Sequence, residues 1–171
     1  MKIILVSALT FILQTSLFAQ HAPPPDYLST QNFPDSVLQL PLTSLAGSST
    51  TFGEILKRHE GKDLLIDFWA SWCRDCLVSV PELHELMEHH PEMDFVFISL
   101  DKEEGKWTSS IDKYELNGDN YWLHQGWKNT LTSYINLDWI PRYIIIGADG
   151  QVKLPKAIKI NEPEILKALG E

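Results

Sequence analysis

Leu64-Leu65-Ile66-Asp67-Phe68-Trp69 is a nearly continuous apolar run, and Cys73-Arg74-Asp75-Cys76 begins four residues after it ends. That succession constrains the fold more than any other feature of the chain. Six residues without alternation suit a strand buried on both faces, as in a parallel sheet. A helix is expected from Cys73 to His89, because Leu77, Val80, Leu83, Leu86 and Met87 recur at helical spacing. Pro81 falls inside that helix and should kink it, having no N–H to donate. Phe95-Val96-Phe97-Ile98-Ser99-Leu100 reads as a second buried strand. Strand, helix and strand of this character form a βαβ unit.

The rest of the chain fits around that unit. Residues 37–45 partly alternate and suggest an edge strand, since Pro41 argues against a central one. Thr51-Phe52-Gly53-Glu54 matches a capping box opening a helix to about His59. Helix is expected around 106–116 and 128–135. Tyr143–Ile146 reads as a strand, Asp149-Gly150 as a hairpin turn, and Gln151–Leu154 as its returning partner. Asn161 is the expected cap of a last helix. The result is an α/β domain with a central mixed sheet flanked by helices. Trp107, Trp122, Trp127 and Trp139 all fall in residues 101–139. Core packing is the favoured explanation, with an aromatic substrate surface as the alternative.

The first residues resemble an export signal. Lys2 precedes the apolar stretch 3–13, and Ala19 offers a small residue for cleavage. The expected division is signal peptide 1–19, flexible leader 20–35 and folded domain 36–171. An uncleaved anchor is the alternative, but the stretch is short for a membrane span. Lys2 is the one charged residue in 1–19, so cleavage moves the formal charge from −9 to −10. So acidic a domain repels nucleic acid phosphates and anionic membrane surfaces. The expected location is the periplasm.

The chain has two cysteines, three positions apart. A disulfide there closes too short a loop to stabilise much, so in an oxidising compartment a redox role is the better reading. At a helix start Cys73 meets unpaired N–H groups, which favour the attacking thiolate. Cys76, a turn further in, suits the resolving role. Arg74 should lower the pKa of Cys73 and Asp75 raise it. Asp67, flanked by Ile66 and Phe68 in a buried strand, is costly unless it is used.

The segment Asp67–Cys76, with Trp72 before the first cysteine, resembles the active-site segment of thioredoxins. Pro81 matches that family's helix proline, and Ile140-Pro141 resembles its cis-proline site. The long gap from Cys76 to Pro141 is similar to the exported TlpA/ResA-like branch. That branch adds N-terminal strands and a central insertion to the thioredoxin-like fold. The resemblance covers roughly residues 36–171. It implies a thiol-disulfide oxidoreductase that needs no cofactor or metal, with Cys73, Cys76 and Asp67 catalytic and Asp67 exchanging a proton with Cys76. It implies Trp72, Ile140 and Pro141 as client contacts, with the Ile140–Pro141 bond cis, and Arg74 and Asp75 as tuning residues. The implied partners are exported proteins bearing thiols or disulfides, apocytochromes among the candidates, and a membrane electron donor. The implied direction is reducing or isomerising. Two departures stand out: no proline precedes Cys76, and Ser79 stands where the branch often has Glu.

Two other functions compete. A peroxiredoxin-type thiol peroxidase shares the fold but places Thr three residues before its reactive Cys, where this chain has Ala70. A metal-binding module could recruit the cysteines, yet His84 lies at least two turns beyond Cys76. His84, His89 and His90 are expected to form a solvated face, and Asp101, Glu103 and Glu104 a solvated loop. His59, His124 and His21 show no partner pattern.

Overall fold

The computed structural model describes residues 32–171. The expected signal at 1–19 and the expected leader as far as residue 31, including His21, lie outside the described residues. A short helix α1 (Asp35–Leu38) leads into β1 (Pro41–Ser44), which turns into β2 (Ser49–Thr51). Pro41 is tolerated because it is the first residue of its strand. Helix α2 (Phe52–Arg58) opens with the expected capping box: Thr51 accepts from the Glu54 N–H, and the Glu54 carboxylate accepts from the Thr51 N–H.

Strand β3 (Leu64–Trp69) is buried along its whole length. It feeds α3 (Arg74–Val78) and α4 (Val80–His89), then β4 (Asp94–Ser99). The helix expected over 73–89 is therefore two helices. Pro81 cannot donate to the Leu77 carbonyl, and the chain breaks at Ser79, two residues before the proline.

Helix α5 (Glu104–Lys113) leads to β5 (Asp119–Trp122), then α6 (Thr130–Tyr134), β6 (Arg142–Ile146), β7 (Val152–Ala157) and α7 (Pro163–Leu169). Strand β5 had no signature in the sequence, because Asp119-Asn120-Tyr121-Trp122 is short and mixed in polarity. Its partners define it: β4 runs parallel on one side and β1 antiparallel on the other. Gly118 lets β5 approach, since a Cβ there would lie 2.6 Å from the Phe95 carbonyl oxygen.

Among the described residues the strands form one sheet in the order β2-β1-β5-β4-β3-β6-β7. Strands β3, β4 and β5 are parallel; β6 is antiparallel to β3, and β7 to β6. This is the expected mixed sheet with an extra N-terminal hairpin. Strand β1 is not at the edge as expected, because β2 covers it. The cap of α7 is Glu162 rather than Asn161. Asn161 instead donates to the Glu82 carboxylate at 3.2 Å.

The tryptophans divide. Trp107 is fully buried and stacks on Trp122, so core packing holds for these two. Trp127 and Trp139 are exposed, and their place is described below.

Candidate functional site

Cys73 ends the loop after β3 and caps α3, with φ −82° and ψ 102°. Cys73 and Cys76 are joined in a disulfide, with their Cα atoms 5.3 Å apart. The Cys76 N–H donates to the Cys73 sulfur at 3.1 Å. With α3 only five residues long, this local N–H rather than a long helix dipole is the donor available to a Cys73 thiolate. Both cysteines are almost buried, so exposure alone does not separate them. Surroundings do: Cys73 lines an open cleft of about 350 Å³ that Cys76 does not line.

Three aromatic side chains frame that cleft. Trp72 and Trp139 are each 57% exposed and Trp127 is 39% exposed, high values for tryptophan. Arg74 and Asp75 also line the cleft, and both are exposed. Ile140 completes it, with its carbonyl oxygen 3.5 Å from the Cys73 sulfur. The Ile140–Pro141 bond is cis, as the resemblance implied. The chain thus brings Trp72, Cys73, Arg74, Asp75 and Ile140 to one cleft, and Trp127 and Trp139 join them.

Asp67 lies on the inner side. It pairs in register with Tyr143, so the two side chains share a sheet face. The Tyr143 hydroxyl lies 3.0 Å from the Ser79 hydroxyl, and Ser79 donates to the Cys76 carbonyl at 2.8 Å. That face is therefore the one covered by the cysteine-bearing helix. Asp67 is buried, and its Oδ1 has no hydrogen-bond partner among the described residues. Burial pushes its pKa up to about 8. Burial also raises the Tyr143 hydroxyl, and the nearby Asp67 charge adds to that.

Two anchoring clusters escaped the sequence reading. Asp101 is not in a solvated loop; it is buried at the end of β4. Its carboxylate accepts from the Ser71 N–H at 2.9 Å, the Ser71 hydroxyl at 2.7 Å and the Ser99 hydroxyl at 2.8 Å. This ties down the residue before Trp72. Glu103 and Glu104 are exposed, as expected. Arg142 is fully buried directly after Pro141. It donates to the Ile135 carbonyl at 3.1 Å and pairs with Asp138, so it braces the loop carrying Trp139 and Ile140. Burial works against the Asp138 charge, but Lys156 and Arg142 together hold its carboxyl below the usual range.

The histidines divide: His89 is exposed as expected and His84 is half-buried. His90 is buried beside Glu92 and Glu171 instead of lying on a solvated face. His59 Nδ1 lies 2.8 Å from the Asp94 carboxylate, and His124 meets Thr43 and packs on Trp122. His84 contacts the Glu115 carbonyl at 3.1 Å.

Comparison with known proteins gives consistent results. The family profile described as thioredoxin-like matches residues 61–152. The soluble secreted antigen MPT53 of Mycobacterium tuberculosis is 28% identical over 116 residues, covering 68% of this chain and 63% of that protein. The chain thus spans less than two thirds of that relative's length. The thiol-disulfide oxidoreductase ResA of Oceanobacillus iheyensis is 36% identical over 59 residues, 33% of this chain and 31% of ResA. A secreted Mycobacterium tuberculosis disulfide oxidoreductase, described as homologous to E. coli DsbE, superposes with a TM-score of 0.56. It is 28% identical, covering 70% of this chain and 84% of that one.

Proposed function

This chain belongs to the thioredoxin-like family, and from that membership we propose that it exchanges disulfides with exported proteins through Cys73 and Cys76. The observation that carries the reading is the Cys73–Cys76 disulfide at a helix start, with Cys73 on an open cleft. In the reducing direction the Cys73 thiolate attacks one sulfur of a client disulfide. The other client sulfur leaves as a thiolate and takes up a proton. Cys76 then gives its proton to the Asp67 carboxylate, and its sulfur attacks the Cys73 sulfur. The client's second sulfur departs as a thiolate and takes up a proton, Asp67 gives its proton up to solvent, and the protein is left as the disulfide. The client has gained two electrons and two protons. A dithiol donor at the membrane restores Cys73 and Cys76 by the same exchange run backwards.

Asp67 suits its part because a carboxyl with a pKa of about 8 is close to an ordinary thiol, so the proton can pass either way. Trp72, Ile140 and Pro141 hold the client, and the charges of Arg74 and Asp75 tune Cys73 in opposite senses. Export is supported by residues 1–19 and by the secreted relatives. Apocytochromes are among the clients this reading admits.

Substituting Cys76→Ser should trap clients as mixed disulfides on Cys73, and Cys73→Ser should trap few. Non-reducing gels of tagged protein from the exported fraction read this out. Trapping on Cys76 alone would reverse the roles, and trapping by neither variant would sink the exchange reading.

A further inference from the structure

Trp72 and Trp127 each have two sides. One side lines the cleft over Cys73, and the other opens onto a neighbouring groove of about 740 Å³ along α5. Tyr114 adds an aromatic wall there, and Lys102, Lys106 and Lys113 line the rim. What sets these three lysines apart is that they line one groove together. The chain carries a formal charge of −9, and Lys62, Lys153 and Lys156 each face an aspartate. No ion pair among the described residues engages Lys102, Lys106 or Lys113, although Lys113 lies over the Tyr114 ring at 4.9 Å. Glu103 at the rim and the serine-bonded Asp101 carboxylate are the opposing charges, so three lysines against two carboxylates leave the lining net positive by one in an acidic molecule.

We propose that this groove seats an acidic stretch of the client chain beside the reacting disulfide, making Lys102, Lys106 and Lys113 determinants of client choice. The inference rests on the proposed exchange reaction and names the clients it favours. Charge complementarity carries it: an acidic protein repels acidic clients least where its cations are grouped in excess of its carboxylates. Shape agrees. Lys106 and Lys113 are seven positions apart on one helix, about 10 Å along its axis. An extended chain covers that length in about three residues, and its alternate side chains share one face. Aromatic walls beside the lysines take the apolar part of such a segment. Trp72 and Trp127 line both, so the groove adjoins the Cys73 cleft and a client seated in one lies beside the other.

The test uses short peptides with a central serine flanked by Glu, Gln or Lys, titrated against the oxidised chain. Tryptophan fluorescence reports binding, because Trp72 and Trp127 line the groove. The Glu peptide should bind roughly tenfold more tightly than the Gln peptide, the sum expected of three exposed ion pairs. The Lys peptide should bind most weakly, and the Glu advantage should shrink as salt rises from ~10 to ~150 mM. The triple variant K102Q/K106Q/K113Q, altered only at exposed positions, should lose the Glu-over-Gln preference; its thermal unfolding checks the fold. Equal binding of Glu and Gln peptides, or a preference that survives in the variant, would overturn the proposal. A separate arm replaces the serine by cysteine and offers each peptide as its disulfide-linked dimer to the Cys76→Ser protein, so that the Cys73 thiolate takes one peptide and the other leaves as a thiol. Failure of every peptide to form a mixed disulfide there would count against the exchange reaction, while the binding arm alone decides the acidic preference.

Discussion

A carboxyl sealed between a sheet and a helix has little water to stabilise its charge, and Asp67 is held in that condition, with a pKa of about 8. Between the ordinary Asp range and about 8, the folded protein holds a proton that the unfolded chain has released. Stability is therefore fullest below the unfolded pKa and declines as pH rises through that window. Asp67→Asn removes the titration. The variant should be more stable than the parent near pH 7.5, by a few kcal/mol at about 1.4 kcal/mol per pKa unit, and should match it near pH 4. Thermal melts from pH 4 to 9 check this. The same variant should slow disulfide exchange and flatten its pH dependence, because Cys76 loses its proton acceptor. An unchanged exchange rate across that range would remove Asp67 from the reaction. Asp101 is also buried, yet its carboxylate is met by two hydroxyls and an N–H. Burial alone thus does not assign a role; what matters is whether the charge has partners.

At the scale of elements, two loops shape the cleft and each is held by one buried charged residue. The loop after β3 hangs on Asp101, and the loop before β6 hangs on Arg142. Asp101→Ala should cost about 2–3 kcal/mol, the usual range for lost hydrogen bonds to a charged group. It should also slow exchange by releasing Ser71 and Trp72. Asp101→Asn keeps the acceptor oxygen and should recover much of both losses. Denaturant melts and exchange rates of the pair check this, and an Ala variant as stable as the parent would contradict the anchoring role. The two anchors were missed for different reasons: Arg142 pairs with Asp138 only four positions back, but in a loop with no helical pattern to mark the pair. Asp101 opens the run Asp-Lys-Glu-Glu, which looks solvated, and its serine partners lie 30 positions back and two positions back. The 30-position pairing with Ser71, which makes Asp101 an anchor of the loop, has no local signal. By contrast, the capping box of α2 and the break near Pro81 are local, within four residues, and were legible.

For the whole molecule, charge and export belong together. A formal charge of −9 over the full chain repels nucleic acid phosphates and anionic lipid, and its cations matter most where they are grouped. No helix among the described residues is long and apolar enough to cross a membrane. The expectation for residues 1–19 is removal on export, with the mature chain starting at Gln20. N-terminal sequencing of the exported protein should find Gln20. Met1 retained in the membrane fraction would make this an anchored protein.

The sequence by itself determined the βαβ unit, the cysteine pair at its turn, the buried acid beneath it and the proline opposite. The first three follow from short-range chemistry: an apolar run of one period, a cap, a carboxylate among apolar neighbours; the place of Pro141 came from the resemblance of Ile140-Pro141 to the thioredoxin cis-proline site. Only the tertiary structure decided that β5 exists, since Asp119-Asn120-Tyr121-Trp122 becomes a strand by pairing on both edges. Tertiary packing alone also decided how the tryptophans divide. Trp107 and Trp127 carry the same side chain within 20 positions of each other, yet one fills the core and the other walls the cleft. Burial of a large side chain depends on which surfaces close over it, and those surfaces come from segments far apart along the chain.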